Sequence, residues 1–102
     1  MKTHSILLNA DQLEAFKNEC ASFIDRMQRQ PGSMLTQLMT SALMLEVLKK
    51  LHTKSFTPKK NNRITVTQAQ AIAIILAFGQ RTGYKYEITV TNNITSELGK
   101  KI

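Results

Sequence analysis

The side chains that most often carry out nucleophilic or metal chemistry are scarce in this chain. Its histidines are His4 and His52 and its one cysteine is Cys20, and no two of them have the spacing of a metal site. Cys20 falls on an apolar stripe, where a small core residue is the expected role. The four glycines are scattered and form no phosphate-binding loop. We therefore expect a protein that is not an enzyme and that has no metal site and no cofactor.

Positive charge is concentrated in the middle of the chain. The formal net charge is +7, and residues 47–86 hold eight Lys or Arg with no Asp or Glu. Six of these cations form the basic segment 49–63: Lys49, Lys50, Lys54, Lys59, Lys60 and Arg63. Such side chains can contact the phosphates of a nucleic acid without reading its sequence, or bind an acidic partner protein. The alternative is an ordinary solvated surface that is rich in lysine.

A second candidate interface is the helix predicted over about 34–53. No charge occurs from Gln30 to Leu45, and the apolar residues of this helix point in nearly every direction around its axis. A helix of this kind is buried inside its own domain or inside a larger assembly. We favour the first alternative, a central core helix. The second is a protein-interaction or homodimer surface, whose adaptable contacts would be Met34, Met39 and Met44.

Two further helices have clear N-terminal signals. Asn9 and Gln12 form a predicted capping box for helix 1, which we place at about 10–29, before Pro31. Thr67 and Gln70 form the same pair at the start of helix 3, which we expect to end near residues 79–83.

The same local pattern occurs twice, in residues 6–12 and 64–70. Each copy has two apolar residues separated by one position, then a capping residue, then Gln three positions later. This pattern predicts a short strand that leads directly into a capped helix. Because a lone strand leaves backbone groups unpaired, we expect the two strands to form a two-stranded ribbon. The chain then reads as strand-helix-helix twice, although capped helices often begin in this way and chance could produce the echo.

This order of elements is similar in outline to that of the ribbon-helix-helix repressors, in which two such units form a ribbon that enters the major groove of DNA. The resemblance concerns the order of elements and no specific motif. If the apolar strand positions face the core, the outward face presents Thr3, Ser5, Leu7, Arg63 and Thr65. One arginine offers little base recognition, and phosphate contact by the basic segment is therefore the better prediction.

The last stretch of the chain fits two patterns. Residues 84–90 alternate between apolar and polar, as in a half-buried strand. A helical stripe is equally visible, since apolar residues recur every four positions from Tyr86 to Ile102. We favour an extended segment to about Val90 and a helix from about Asn92.

Together these patterns predict a single domain, 1–102, with a mainly helical α+β fold of four helices and a two-stranded ribbon; the alternative is an all-α bundle. The N-terminus has only three consecutive apolar residues, Ile6 to Leu8, far fewer than a signal-peptide core. No segment has the apolar length of a membrane span, and we expect a cytoplasmic protein with no membrane contact. The expected function is that of a small basic binding or accessory protein. It would associate with nucleic acid through 49–63 or, alternatively, assemble through helix 34–53.

Overall fold

The computed structural model describes residues 2–29, 35–57, 59–79 and 81–102. Within these residues the elements are β1 (Thr3–Leu8), α1 (Ala10–Arg29), α2 (Leu35–Ser55), β2 (Asn62–Thr67), α3 (Gln68–Phe78) and α4 (Tyr86–Lys101). The order strand-helix-helix thus occurs twice, as β1-α1-α2 (the first half) and β2-α3-α4 (the second half). This confirms the mainly helical α+β fold, and the described residues do not form an all-α bundle.

The two strands form an antiparallel ribbon in which Ile6 lies opposite Ile64. One face of the ribbon is buried against the helices, because apolar side chains alternate with polar ones along both strands. The outward positions include Thr3, Leu7 and Arg63, which are exposed as predicted. Ile6 and Ile64 also occupy the same place in the repeated sequence pattern, and the register is therefore symmetric about this pair.

Both predicted capping boxes are present. The Gln12 amide N–H donates to Asn9 Oδ1 at 2.8 Å, and the Asn9 amide N–H donates to Gln12 Oε1 at 2.9 Å. The Gln70 amide N–H donates to Thr67 Oγ1 at 3.1 Å, and the Thr67 amide N–H donates to Gln70 Oε1 at 3.0 Å. These bonds pair backbone amides that a helix start leaves without partners, which explains why α1 and α3 begin where the sequence predicts.

The core is built from equivalent positions in the two halves. The buried residues Leu13, Ala15, Phe16 and Cys20 of α1 each have a buried counterpart 58 positions later in α3: Ala71, Ala73, Ile74 and Phe78. Likewise, Met44, Val47 and Leu51 of α2 have buried counterparts 47 positions later in α4: Thr91, Ile94 and Leu98. Seven equivalent helix positions are therefore buried in both halves around one shared core.

The predicted extended segment up to Val90 is wrong, because α4 begins at Tyr86. Val90, Ile94 and Leu98 are buried on one side of this helix, and only the helical period brings them together. The preceding segment is attached to α4 by Asn92, whose side chain bonds the backbone N–H and C=O of Arg81 at 2.9 and 2.8 Å.

The expectation that the helix predicted over about 34–53 is a central core helix is also wrong. The helix forms close to its predicted bounds, but Leu38 and Leu45 are 55% and 41% exposed. The physical reason is the arrangement of the layers: α2 packs on α1 and α3 with the face that carries Thr40, Met44, Val47 and Leu51. Leu43 and Leu48 are partly buried against the core, and the other apolar side chains of the helix lie at the surface of the chain.

Candidate nucleic-acid interface and interhelical grooves

The C-terminal end of α2, the loop that follows it and β2 enclose two adjoining depressions of about 430 and 370 Å³. Thr53, Lys54 and Arg63 line both depressions, which we treat as one surface and call the basic groove. The cations that line it are Lys50, Lys54, Lys59 and Arg63. Among the residues that the structure describes, no Asp or Glu lines this groove.

Buried Asn62 gives the groove its shape. Its Oδ1 accepts from the Lys59 amide N–H at 3.0 Å, and its Nδ2 donates to the carbonyls of Lys59 at 3.0 Å and Leu8 at 3.1 Å. The bonds to Lys59 attach the loop to β2, and the bond to Leu8 joins β2 to β1, so that Lys59 and Arg63 line the same depression. This role was not predicted from the sequence, although a polar residue at an inward strand position was a visible signal.

Lys50 has a structural task within the basic groove. Its Nζ donates to the Thr65 carbonyl and to Gln70 Oε1, both at 2.9 Å, and Gln70 Nε2 donates to Glu46 Oε1 at 2.9 Å. This network links α2 to β2 and α3. Because two protons of the Lys50 ammonium group already have acceptors, Lys50 is less available to a ligand than the other groove cations.

The other five residues of the predicted basic segment are exposed. Lys54, Lys59 and Arg63 line the groove, whereas Lys49 and Lys60 lie outside its lining. In the described part of the chain, the four ion pairs involve Lys17, Arg29, Arg81 and Lys101 and none of these five side chains. Their positive charge is therefore not neutralised by a neighbouring carboxylate in contact.

A second groove, of about 310 Å³, lies between α2 and α3. We call it the apolar groove, and its lining is Thr36, Met39, Thr40, Leu43, Ala69, Ile72, Ala73 and Leu76. No charged side chain in the described ranges lines it. Of the three methionines predicted at an interface, Met39 lines this groove and Met34 lies outside the described residues. The prediction for Met44 is wrong, because Met44 falls on the inward stripe with Val47 and is fully buried.

A third groove, of about 470 Å³, lies between α1 and α4 and is lined by Asp11, Glu14, Ala15, Asn18, Tyr86 and Glu87. We call it the acidic groove. It is the counterpart of the apolar groove: the α1 positions recur 58 residues later as Ala69, Ile72, Ala73 and Leu76, and the α4 positions correspond, 47 residues earlier, to Met39 and Thr40. The same place in the two halves thus has opposite chemistry.

The groups that could carry nucleophilic or metal chemistry are dispersed or buried. Cys20 is fully buried, and this burial raises the pKa of its thiol well above the usual range. His4 is buried in the ribbon, where its Nε2 contacts Gln68 Oε1. The described residues contain no cluster of His, Cys, Asp or Glu that could bind a metal ion. None of the helices described here has the length and apolar character needed to cross a bilayer.

Comparison with known proteins gives no match, whether with family models, with curated proteins or with solved structures.

Proposed function

We propose that this protein binds nucleic acid through phosphate contacts made by the basic groove. The observation that carries the proposal is the convergence of three exposed cations, Lys54, Lys59 and Arg63, on one concave surface whose described lining includes no carboxylate. Cationic side chains at such a surface neutralise phosphates and release counterions, which is the main source of sequence-independent affinity.

The uncharged side chains of the groove support a phosphate ligand. Thr53, Thr57 and Asn61 lie between the cations, and hydroxyl and amide groups are common donors to phosphate oxygens. A lining of cations and hydrogen-bond donors is typical of nucleic-acid interfaces, which are more polar and more positive than contacts between proteins. We therefore favour nucleic acid over an acidic protein partner.

The position of the groove favours a duplex ligand. Arg63 and Thr65 line the groove and also belong to the outward face of the ribbon. The major groove of DNA is wide enough to admit a two-stranded ribbon. Arg63 is the one outward strand side chain suited to reading a base edge in the described ribbon, and we expect binding with little sequence preference.

The test is a titration of fluorescent 20-base-pair duplexes of several sequences at low salt. In the groove variant, Lys54, Lys59 and Arg63 become Gln; Lys50 is retained because it bonds the strand. We expect affinity to fall at least about tenfold for every duplex, and the log–log salt slope to drop by about 0.9 for each lost phosphate contact.

The matched control changes Arg26, Arg29 and Lys100 to Gln, which removes the same net charge from exposed positions outside the groove. If this control loses as much affinity as the groove variant, general electrostatics and not the groove explains the binding. Absence of wild-type binding at tens of micromolar protein would overturn the proposal, and preferential binding of polyglutamate over the duplexes would identify an acidic protein as the ligand.

A further inference from the structure

An apolar surface extends from α2 across the apolar groove to α3. Four of its side chains belong to α2 and two to α3, with exposures between 41% and 73%: Leu35, Leu38, Met39, Leu45, Ile72 and Leu76. Together they expose roughly 600 Å², which reaches the upper end for the largest apolar patch on a monomeric protein. Apolar patches of this size are often functional, and still larger ones mark places where another molecule binds.

The fold does not require this surface to be apolar. Ile72 and Leu76 of α3 occupy the positions that Glu14 and Asn18 occupy in α1, and the α1 positions line the acidic groove of the same fold. Because the equivalent helix accepts polar residues there, packing inside the chain does not explain the apolar side chains of α3. Contact with a partner does, since burial of apolar surface is the principal favourable contribution to association.

We propose that the partner is a second copy of this chain, bound about a two-fold axis with the two apolar surfaces in contact. Complete burial of these side chains in both copies would remove roughly 1,200 Å² from water, which is the lower limit of specific, stable protein interfaces. Each chain carries a net charge of +7, and no charged side chain in the described ranges lines the apolar groove within this surface. Two copies can therefore meet there without placing like charges in the contact.

The shape of the surface suits contact with itself. Leu38 and Leu45 are seven residues apart and project from the same side of α2 as a ridge, and the apolar groove lies on the side of α2 that meets α3. A two-fold contact requires a patch that complements its own copy. The groove itself meets this requirement, because its exposed wall residues Met39 of α2 and Leu76 of α3 can enter the groove of the other copy.

The basic groove lies at the opposite end of α2 from most of this surface. A dimer formed in this way leaves both basic grooves accessible, so that the inference does not depend on the proposed nucleic-acid binding. The two also differ in their response to salt: phosphate contacts weaken with added salt, whereas apolar association does not.

The test is sedimentation equilibrium of the full chain at about 10–100 µM protein, in low salt and in 1 M NaCl. We expect twice the 11.5 kDa mass of one chain at both salt concentrations. The variant Leu76→Glu places a negative charge in the contact. Because this charge would be buried without a partner, we expect the dimer dissociation constant to rise about 100-fold or more.

The matched control is Asn18→Glu, which adds the same charge at the equivalent position of α1 and should leave the dimer intact. Far-UV circular dichroism verifies that each variant folds, and Met39→Glu replaces Leu76→Glu if that variant is unfolded. A wild-type monomer at 100 µM, or a dimer that survives both Leu76→Glu and Met39→Glu, would overturn the proposal. So would a monomer that co-sediments with phosphatidylcholine vesicles, which would assign the surface to a lipid.

Discussion

The acidic groove and the apolar groove lie between equivalent pairs of helices, α1–α4 and α2–α3. Each groove lies next to the capped start of a helix, and a buried alanine lines each one, Ala15 in the acidic groove and Ala73 in the apolar groove. Their exposed walls differ completely: Glu14 and Asn18 are polar, whereas Ile72 and Leu76 are apolar. The repeated fold therefore sets which of these helix positions are buried and leaves the chemistry of the groove walls open to function.

The two capping boxes differ in a similar way. Gln12 has only its cap partner, Asn9, among the bonds that the structure shows for it. Gln70 is buried and also bonds Lys50 and Glu46. The second half thus uses its capping glutamine to attach α3 to the C-terminal part of α2, next to the basic groove. Equivalent residues therefore make unequal contributions to the tertiary structure.

The largest effect of a substitution on stability is expected at the centre of the ribbon, where the two halves are most alike. Ile6 and Ile64 face each other and are each 1% exposed, and replacement of either by Ala should lower the free energy of unfolding by about 2–5 kcal/mol. We expect the two losses to agree within about 1 kcal/mol, and the double variant to be non-additive because the residues are in contact.

Urea denaturation measures these losses, and Ile→Val at either position, with an expected cost of about 0.5–1.5 kcal/mol, serves as the control if the Ala variants do not fold. A difference of more than about 2 kcal/mol between the two sites would show that the symmetry of the register is not matched by symmetric packing.

An intermediate effect is expected at the capping glutamines, where the halves diverge. Gln12→Ala removes one cap bond at a partly exposed site and should cost about 0.5–1 kcal/mol. Gln70→Ala leaves Lys50 and Glu46 short of a partner at a buried site and should cost about 1–3 kcal/mol. Thermal unfolding of both variants distinguishes these values; equal losses would mean that the network around Gln70 adds nothing beyond the cap.

The smallest effect is expected on the exposed ridge of α2. Leu38→Ala and Leu45→Ala should each change the stability of the monomer by less than about 0.5 kcal/mol, because neither side chain packs in the core. Urea denaturation in the Leu76→Glu background, where association is suppressed, provides the measurement. A loss of 2 kcal/mol or more at either position would place the ridge inside the core of the chain.

Local patterns predicted much of this fold. Strand alternation at Ile6 and Ile64 and the capping pairs at Asn9 and Thr67 depend on neighbouring residues alone, and each was found where the sequence indicated. The segment around Val90 was mispredicted because two periods coincide there, and only packing against α1 and α3 selects the helix. The extent to which α2 is buried was mispredicted for a related reason, since the sequence of an apolar helix does not show which of its faces packs against a neighbour.

The features of the candidate site can also be separated into those that the sequence predicted and those that depend on the fold. The density of cations between Lys49 and Arg63 is a property of the sequence and was visible without a fold. The selection of Lys54, Lys59 and Arg63 as one surface depends on the approach of β2 and the preceding loop to the end of α2. Asn62 supports this arrangement, because its side chain bonds Lys59 in the loop and Leu8 of β1, 54 positions away. The hydrogen bonds of Lys50 to Thr65 and Gln70 depend in the same way on the approach of α2 to β2.

Local sequence patterns predicted where α1, α3 and the two strands begin, which strand faces turn inward and where the positive charge is concentrated, because each of these depends on groups a few residues apart. Only the tertiary structure decided which face of α2 is buried, which cations share a groove, and that the grooves of the two halves are counterparts with opposite chemistry. These features depend on contacts between residues far apart in the chain, and hydrophobic burial, being non-directional, specifies that such contacts form without specifying which ones.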